Sequence, residues 1–169
     1  MQTVNCATCG KPHAVRDTEL TYRLPNEIFD LEDERRAERA KISTDICMLD
    51  SSRMFLRGLL PLPVDGREGP YNIGVWVELS AQDFREIHAL WSDPDQASHG
   101  PFPGALANEV YGCRDSRGLA LEIRLTGPTT RPEFHLIGEG HDLIRQQREG
   151  ITQHQAYEYS ERRLSQNVA

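Results

Sequence analysis

Tyr71-Asn72-Ile73-Gly74-Val75-Trp76-Val77-Glu78-Leu79, followed at once by Ser80-Ala81-Gln82-Asp83, decides how this chain is read. Ile73, Val75, Val77 and Leu79 alternate with Asn72, Gly74, Trp76 and Glu78, the period-two pattern of a strand with one deeply buried face. Trp76 on the second face implies that something covers that side too. Ser80 suits a helix N-cap, with Asp83 placed to answer the free amides of the first turn. The helix predicted from 81 to about 91 puts Phe84, Ile87, His88 and Trp91 on one stripe, so His88 reads as a core histidine. Asp93-Pro94 stops it.

Outward from this strand–helix unit the same logic repeats. Asp45-Ile46-Cys47-Met48-Leu49-Asp50 is a short apolar run, residues 53–60 make a second strand, and Asp50-Ser51-Ser52 between them suits a hairpin loop. Downstream, 118–126 alternates Leu119, Leu121, Ile123 and Leu125 with small or polar partners, and 131–137 is its expected antiparallel neighbour. A short helix over 141–148 stops at Gly150, and Thr152 caps a closing helix with Tyr157 and Leu164 as anchors. Residues 25–41 read as one charged helix in which Glu32, Asp33, Glu34 and Glu38 precede Arg35, Arg36 and Arg39, and 92–104 as a long exposed loop. The expected fold is α+β: a mainly antiparallel sheet of five to six strands with helices packed against it. One domain over 1–169 is expected, with residues 1–24 as a lead-in and 25–169 as the body.

The 169 residues, 38% apolar and 27% charged, suffice for a core without covalent staples. A net charge of −7 argues against a nucleic-acid binder, which needs a basic surface to displace counterions. There is no apolar run long enough to span a bilayer and no basic-then-apolar leader, so a cytoplasmic protein without membrane contact is expected. In that setting the four cysteines are thiols or metal ligands rather than a disulfide frame.

Cys6-Ala7-Thr8-Cys9-Gly10-Lys11-Pro12-His13 carries the sharpest chemical signal. A Cys-x-x-Cys-Gly turn brings two thiolates within reach of one metal ion, and His13 follows closely. Structural zinc held by Cys6, Cys9 and His13 is the reading, with Cys47 as the fourth ligand. A small core residue at Cys47 and an exposed His13 are the plainer alternative. A redox role for the Cys pair suits the context poorly, because such pairs sit at a helix N-terminus after a strand. His135 and His141 are the candidate acid–base groups of a rival, enzymatic reading that uses the same metal.

Several segments together resemble the bacterial domain-of-unknown-function family numbered 2199. They are Cys6-x-x-Cys9-Gly10-x-x-His13, Asp45-Ile46-Cys47, Arg57-Gly58-Leu59-Leu60-x-Leu62-Pro63-Val64, Gly74-Val75-Trp76-Val77-Glu78-Leu79-Ser80, Leu90-Trp91-x-Asp93-Pro94, Arg131-Pro132 and Gln147-Arg148-Glu149-Gly150-Ile151-Thr152. The stretch 108–117, with Cys113, departs from the pattern. The resemblance implies no activity. By analogy of class, small acidic bacterial proteins of this kind include immunity proteins that neutralise a toxin. The functional expectation is therefore a non-catalytic binding protein that covers the basic cleft of a toxic effector, such as a nuclease. Its contact residues are expected to be Glu27, Asp30, Glu32, Asp33, Glu34, Asp93 and Asp95, with the loop 93–102.

Overall fold

A computed structural model describes residues 3–5, 10–14, 19–162 and 167 of the chain. In chain order the elements are β1 (Thr3–Asn5), β2 (Pro12–Ala14), α1 (Asn26–Phe29), α2 (Asp33–Arg39), β3 (Ala40–Ile42), β4 (Ile46–Leu49), β5 (Arg53–Leu62) and β6 (Tyr71–Leu79). There follow α3 (Ala81–Ala89), β7 (Phe102–Leu106), β8 (Ala120–Arg124), β9 (Glu133–Leu136), α4 (Asp142–Glu149) and α5 (Gln153–Glu161). β1 and β2 pair with each other, and β3 to β9 form a second sheet in sequence order. Helices packed on a sheet make the fold α+β.

The expected five or six mainly antiparallel strands give way to a mixed sheet of seven. Neighbours along the sheet run antiparallel, but β5 also pairs in parallel with β9 through Leu59 and Glu133. That pairing closes β5, β6, β7, β8 and β9 into a five-stranded barrel, with β3 and β4 as an extension beside β5. Gly58 makes the closure possible. A Cβ built there would collide with the Phe134 ring and lie 2.6 Å from the Pro132 carbonyl oxygen. With no side chain at 58, the Leu59 amide donates to Pro132 O at 2.9 Å and Phe134 fills the space inside the barrel. Small beside large residues fill a narrow barrel in this way.

The register places Leu56, Gly58 and Leu60 opposite Val77, Val75 and Ile73, and all of these residues are buried. On the outer face of β6, Gly74 meets Thr21, whose side chain occupies the place a Cβ would take. Residues 20–22 lie along this edge: the Tyr22 amide donates to Gly74 O and the Gly74 amide to Leu20 O. This extended lead-in is the cover that Trp76 required, and the indole N–H donates to Tyr22 O at 3.2 Å.

Locally encoded features form as expected. Ser80 Oγ accepts from the Asp83 amide, and Thr152 with Gln155 forms a full capping box. Gly150 ends α4 with φ +94°, and Asp50 and Ser51 at φ +53° and +56° turn the β4–β5 hairpin. Three local expectations are corrected. The helix expected over 25–41 is two helices and a strand. Its break is held by Arg36, whose guanidinium donates to the carbonyls of Ile28, Phe29 and Leu31 and so satisfies groups a continuous helix would have paired. The expected loop 92–104 contains the start of β7, where Gly104 lets the strand lie close over Ile123 despite Pro103. His88 is exposed and stacked on Phe84 rather than in the core. Leu164, the other expected anchor of α5, lies outside the described residues, and Ala156 and Tyr159 bury that helix.

Gly58→Ala is expected to cost at least the roughly 1–3 kcal/mol typical of overpacking, since one of the two obstacles is backbone. Combining it with Phe134→Leu should recover part of the loss, because the ring is the other obstacle. Urea unfolding of the two single variants and the double variant measures this coupling.

Candidate functional site

Five separate stretches of chain meet on the outer face where β5 lies between β6 and β9. Arg57 of β5 stands opposite Trp76 of β6, with its guanidinium carbon 5.6 Å from the indole centroid. Its Nη1 donates to Thr44 O and its Nη2 to Tyr22 O, both at 3.3 Å, while the Arg57 amide donates to Asp45 O. Arg131, just before β9, donates from Nε to Asp45 Oδ1 at 3.0 Å. Arg57 Nε is buried with no hydrogen-bond partner among the described residues. Burial first, and then the neighbouring Arg131, hold Arg57 below the usual guanidinium value, and Asp45 opposes them. Asp45, Cys47, Arg57, Trp76 and Arg131 all belong to the motifs singled out in the sequence, yet nothing in their spacing announced that they converge.

Cys47 lies in the same region, fully buried in β4 opposite Phe55. Burial pushes its thiol up to about 11, against a hydrogen bond with the Ser43 backbone. Cys6 and Cys9 lie outside the described residues, as does the side chain of His13. Residue 13 itself pairs with Val4 in the β1–β2 hairpin. Among the described residues no three His, Cys, Asp or Glu side chains gather as a metal site.

The two imidazoles assigned acid–base work in the enzymatic reading are both engaged. His141 caps α4: its Nδ1 accepts from the Leu143 amide, so Nε2 carries the hydrogen and donates to Arg114 O at 2.9 Å. His135 Nε2 lies 3.1 Å from Glu133 Oε2 on the same face of β9. Sequence reading missed a buried polar knot in which Tyr159 donates to Gln146 Oε1 at 2.6 Å and both side chains touch Cys113 Sγ. Burial pushes the Cys113 thiol and the Tyr159 phenol up, so this knot is neutral. A cleft of about 180 Å³ opens beside it, lined among others by Tyr111, Asp142, Gln146, Gln155 and Tyr159.

The expected partner-binding carboxylates divide into two groups. Glu27 is held by Arg53 at 3.3 Å and Arg117 at 2.7 Å, Arg53 also grips both oxygens of Glu78, and Asp30 pairs with Arg117. Asp33 pairs with Arg36. Asp93 Oδ1 accepts from the Asp95 amide and Asp95 Oδ2 from Ser98 Oγ, so both acids build their own loop. Glu32 and Glu34 are exposed and, among the described residues, form no ion pair. Arg36 and Arg39 on the same helix are half-buried, and Arg39 donates to both oxygens of Asp50. In α2, Arg36 and Arg39 therefore turn toward the protein, while Asp33, Glu34 and Glu38, together with Arg35, face solvent.

An α+β protein built on a closed, mixed five-stranded barrel is the class these features define. The chain belongs to a family described as an uncharacterized protein conserved in bacteria (DUF2199), which it matches over residues 5–151. No curated protein and no solved structure matches it. No helix among the described residues is long and apolar enough to cross a membrane.

Burial alone would raise the Glu27 carboxyl, but the hydrogen bonds from Arg117 and Arg53 outweigh it and hold the group below its ordinary value. Its contribution to stability is therefore complete above the unfolded-state value and is lost as pH falls through the folded one. Glu27→Gln should cost about 1 kcal/mol at pH 7, the scale of a screened, half-exposed network. The difference from wild type should shrink steadily below pH 4.5, as read by urea midpoints across the acid range.

Proposed function

We propose that this protein is a non-catalytic binding protein that presents the outer face of α2 to a basic macromolecular partner. One observation carries the reading: α2 buries no residue, yet it is firmly tethered. Arg36 fastens it to the carbonyls before it and Arg39 to the hairpin turn after it. Glu32, Glu34 and Glu38 are left exposed on a pre-ordered surface. Core burial does not account for such an element, whereas fixed charges raise association rates and select partners at little ordering cost. The finer reading is an inhibitor of a toxic effector, with the acidic face laid over the effector's basic cleft.

Mixed with the product of the neighbouring gene, the protein should elute as a complex in size-exclusion chromatography. Replacing Glu32, Glu34 and Glu38 together by Lys should slow association on the order of tenfold or more at low salt. Absence of a complex, or association indifferent to the charge reversal, overturns the proposal.

A structural zinc belongs to the same reading. Asn5 and Pro12, which pair in the β1–β2 hairpin, flank the Cys6-x-x-Cys9 motif, whose two thiolates with His13 are the ligands the sequence offers. When bound, zinc would clamp this turn without taking part in a reaction. Metal analysis should find one zinc per chain, lost with Cys6→Ser and Cys9→Ser. Cys47→Ser should also release it if Cys47 is the fourth ligand, and should leave it bound if Cys47 serves only the core.

A further inference from the structure

We propose that Arg57 and Arg131 form a binding site for an oxyanion, the carboxylate or phosphate group of a ligand, on the outer face of the barrel seam. The site is independent of α2 and of any basic partner.

Charge accounting leads to it. Arg36, Arg39, Arg53, Arg117 and Arg131 each have a carboxylate within ion-pair distance. Arg57 has none among the described residues, although it is half-buried against the indole of Trp76. Two of its five N–H donors reach backbone carbonyls, at 3.3 Å, and the buried Nε has no partner among the described residues. A desolvated cation left unneutralised is costly, and an anion in contact removes much of that cost. Arg131 adds a second guanidinium, and the pair shares the single carboxylate of Asp45, which leaves one net positive charge.

The geometry also fixes the ligand chemistry. A guanidinium presents a planar fork that matches two oxygens of a carboxylate or phosphate, and a ring behind it limits its rotation. Arg57 is held in that manner by Trp76 and by the carbonyls of Thr44 and Tyr22. The Arg131 side chain is 40% exposed, so the site opens to solvent on its side. Trp76 Nε1, donating to the same Tyr22 carbonyl as Arg57 Nη2, is a built-in reporter.

The test uses the full-length protein labelled with nitrogen-15, titrated with inorganic phosphate, with acetate and with chloride at constant ionic strength. The Arg57 Nε–H and Trp76 Nε1–H resonances should move saturably with phosphate or acetate and not with chloride. Tighter binding of phosphate marks a phosphorylated ligand, and tighter binding of acetate a carboxylate ligand; either supports the site. Arg57→Gln should abolish the saturable change at Trp76. Arg131→Gln should weaken binding at least fivefold, since it removes one cation and frees Asp45 to neutralise Arg57. Asp45→Asn should tighten binding at least threefold, a gain that a purely structural role for these residues does not produce. Responses that stay linear and match chloride, or affinities equal in wild type, Arg131→Gln and Asp45→Asn, overturn the proposal.

Discussion

A missing side chain at position 58 governs the architecture. The β5–β9 contact needs the Pro132 carbonyl and the Phe134 ring in the volume a Cβ would claim. Without that approach β5 would keep only its antiparallel neighbours, and the sheet would stay open along β9. An open edge exposes unpaired amides and carbonyls, whereas closure removes them. The inward rows of β5, β6, β8 and β9 then share one apolar interior, where Phe134, Ile73, Val75 and Ile123 are fully buried. Outside it, α4 is pinned across the seam by Gln147, which donates to the carbonyls of Pro61 and Phe134 and accepts from the Leu136 amide.

Around this barrel the arginines act as ties. Arg36 finishes one helix while belonging to the next, Arg39 holds a hairpin turn, and Arg53 and Arg117 link α1 to the sheet and to the 109–117 loop. Each tie consumes acids that composition alone would assign to an interaction surface. The net charge of −7 is therefore a poor guide to where negative potential lies. What matters is which carboxylates remain after the internal pairs are made, and Glu34 and Glu38 of α2 are among them. Arg57 stands apart because its tie is to a ring and to backbone oxygens, which share its position without cancelling its charge.

Much of this was legible in the residues, and the divide is physical. The β6 strand, the Ser80 and Thr152 caps and the Asp50–Ser52 hairpin follow from interactions within a few positions, and sequence pattern reports those well. Family membership was legible too, through motifs spread along the chain. The parallel join of Leu59 to Glu133 depends on residues far apart and on an absent side chain, which no periodicity records. The break inside 25–41 was hidden for a related reason: Arg36 reads as a surface helix charge until its bonds to Ile28, Phe29 and Leu31 are seen. Of the candidate site residues, the carboxylates were legible as a set, but their division into tied and free was not. That division is decided by arginines on other elements.

The seam between β5 and β9 also orders events during synthesis. Loop closure of this length is entropically unfavourable and is repaid only when both strands are present. Until β9 leaves the ribosome, Leu56, Leu60, Ile73, Val75 and Val77 have no roof over them. From the completion of β6 at Leu79 until β9 follows at Glu133–Leu136, the nascent chain thus carries a half-cylinder with a sticky concave side, the kind of exposed apolar surface that chaperones exist to shield.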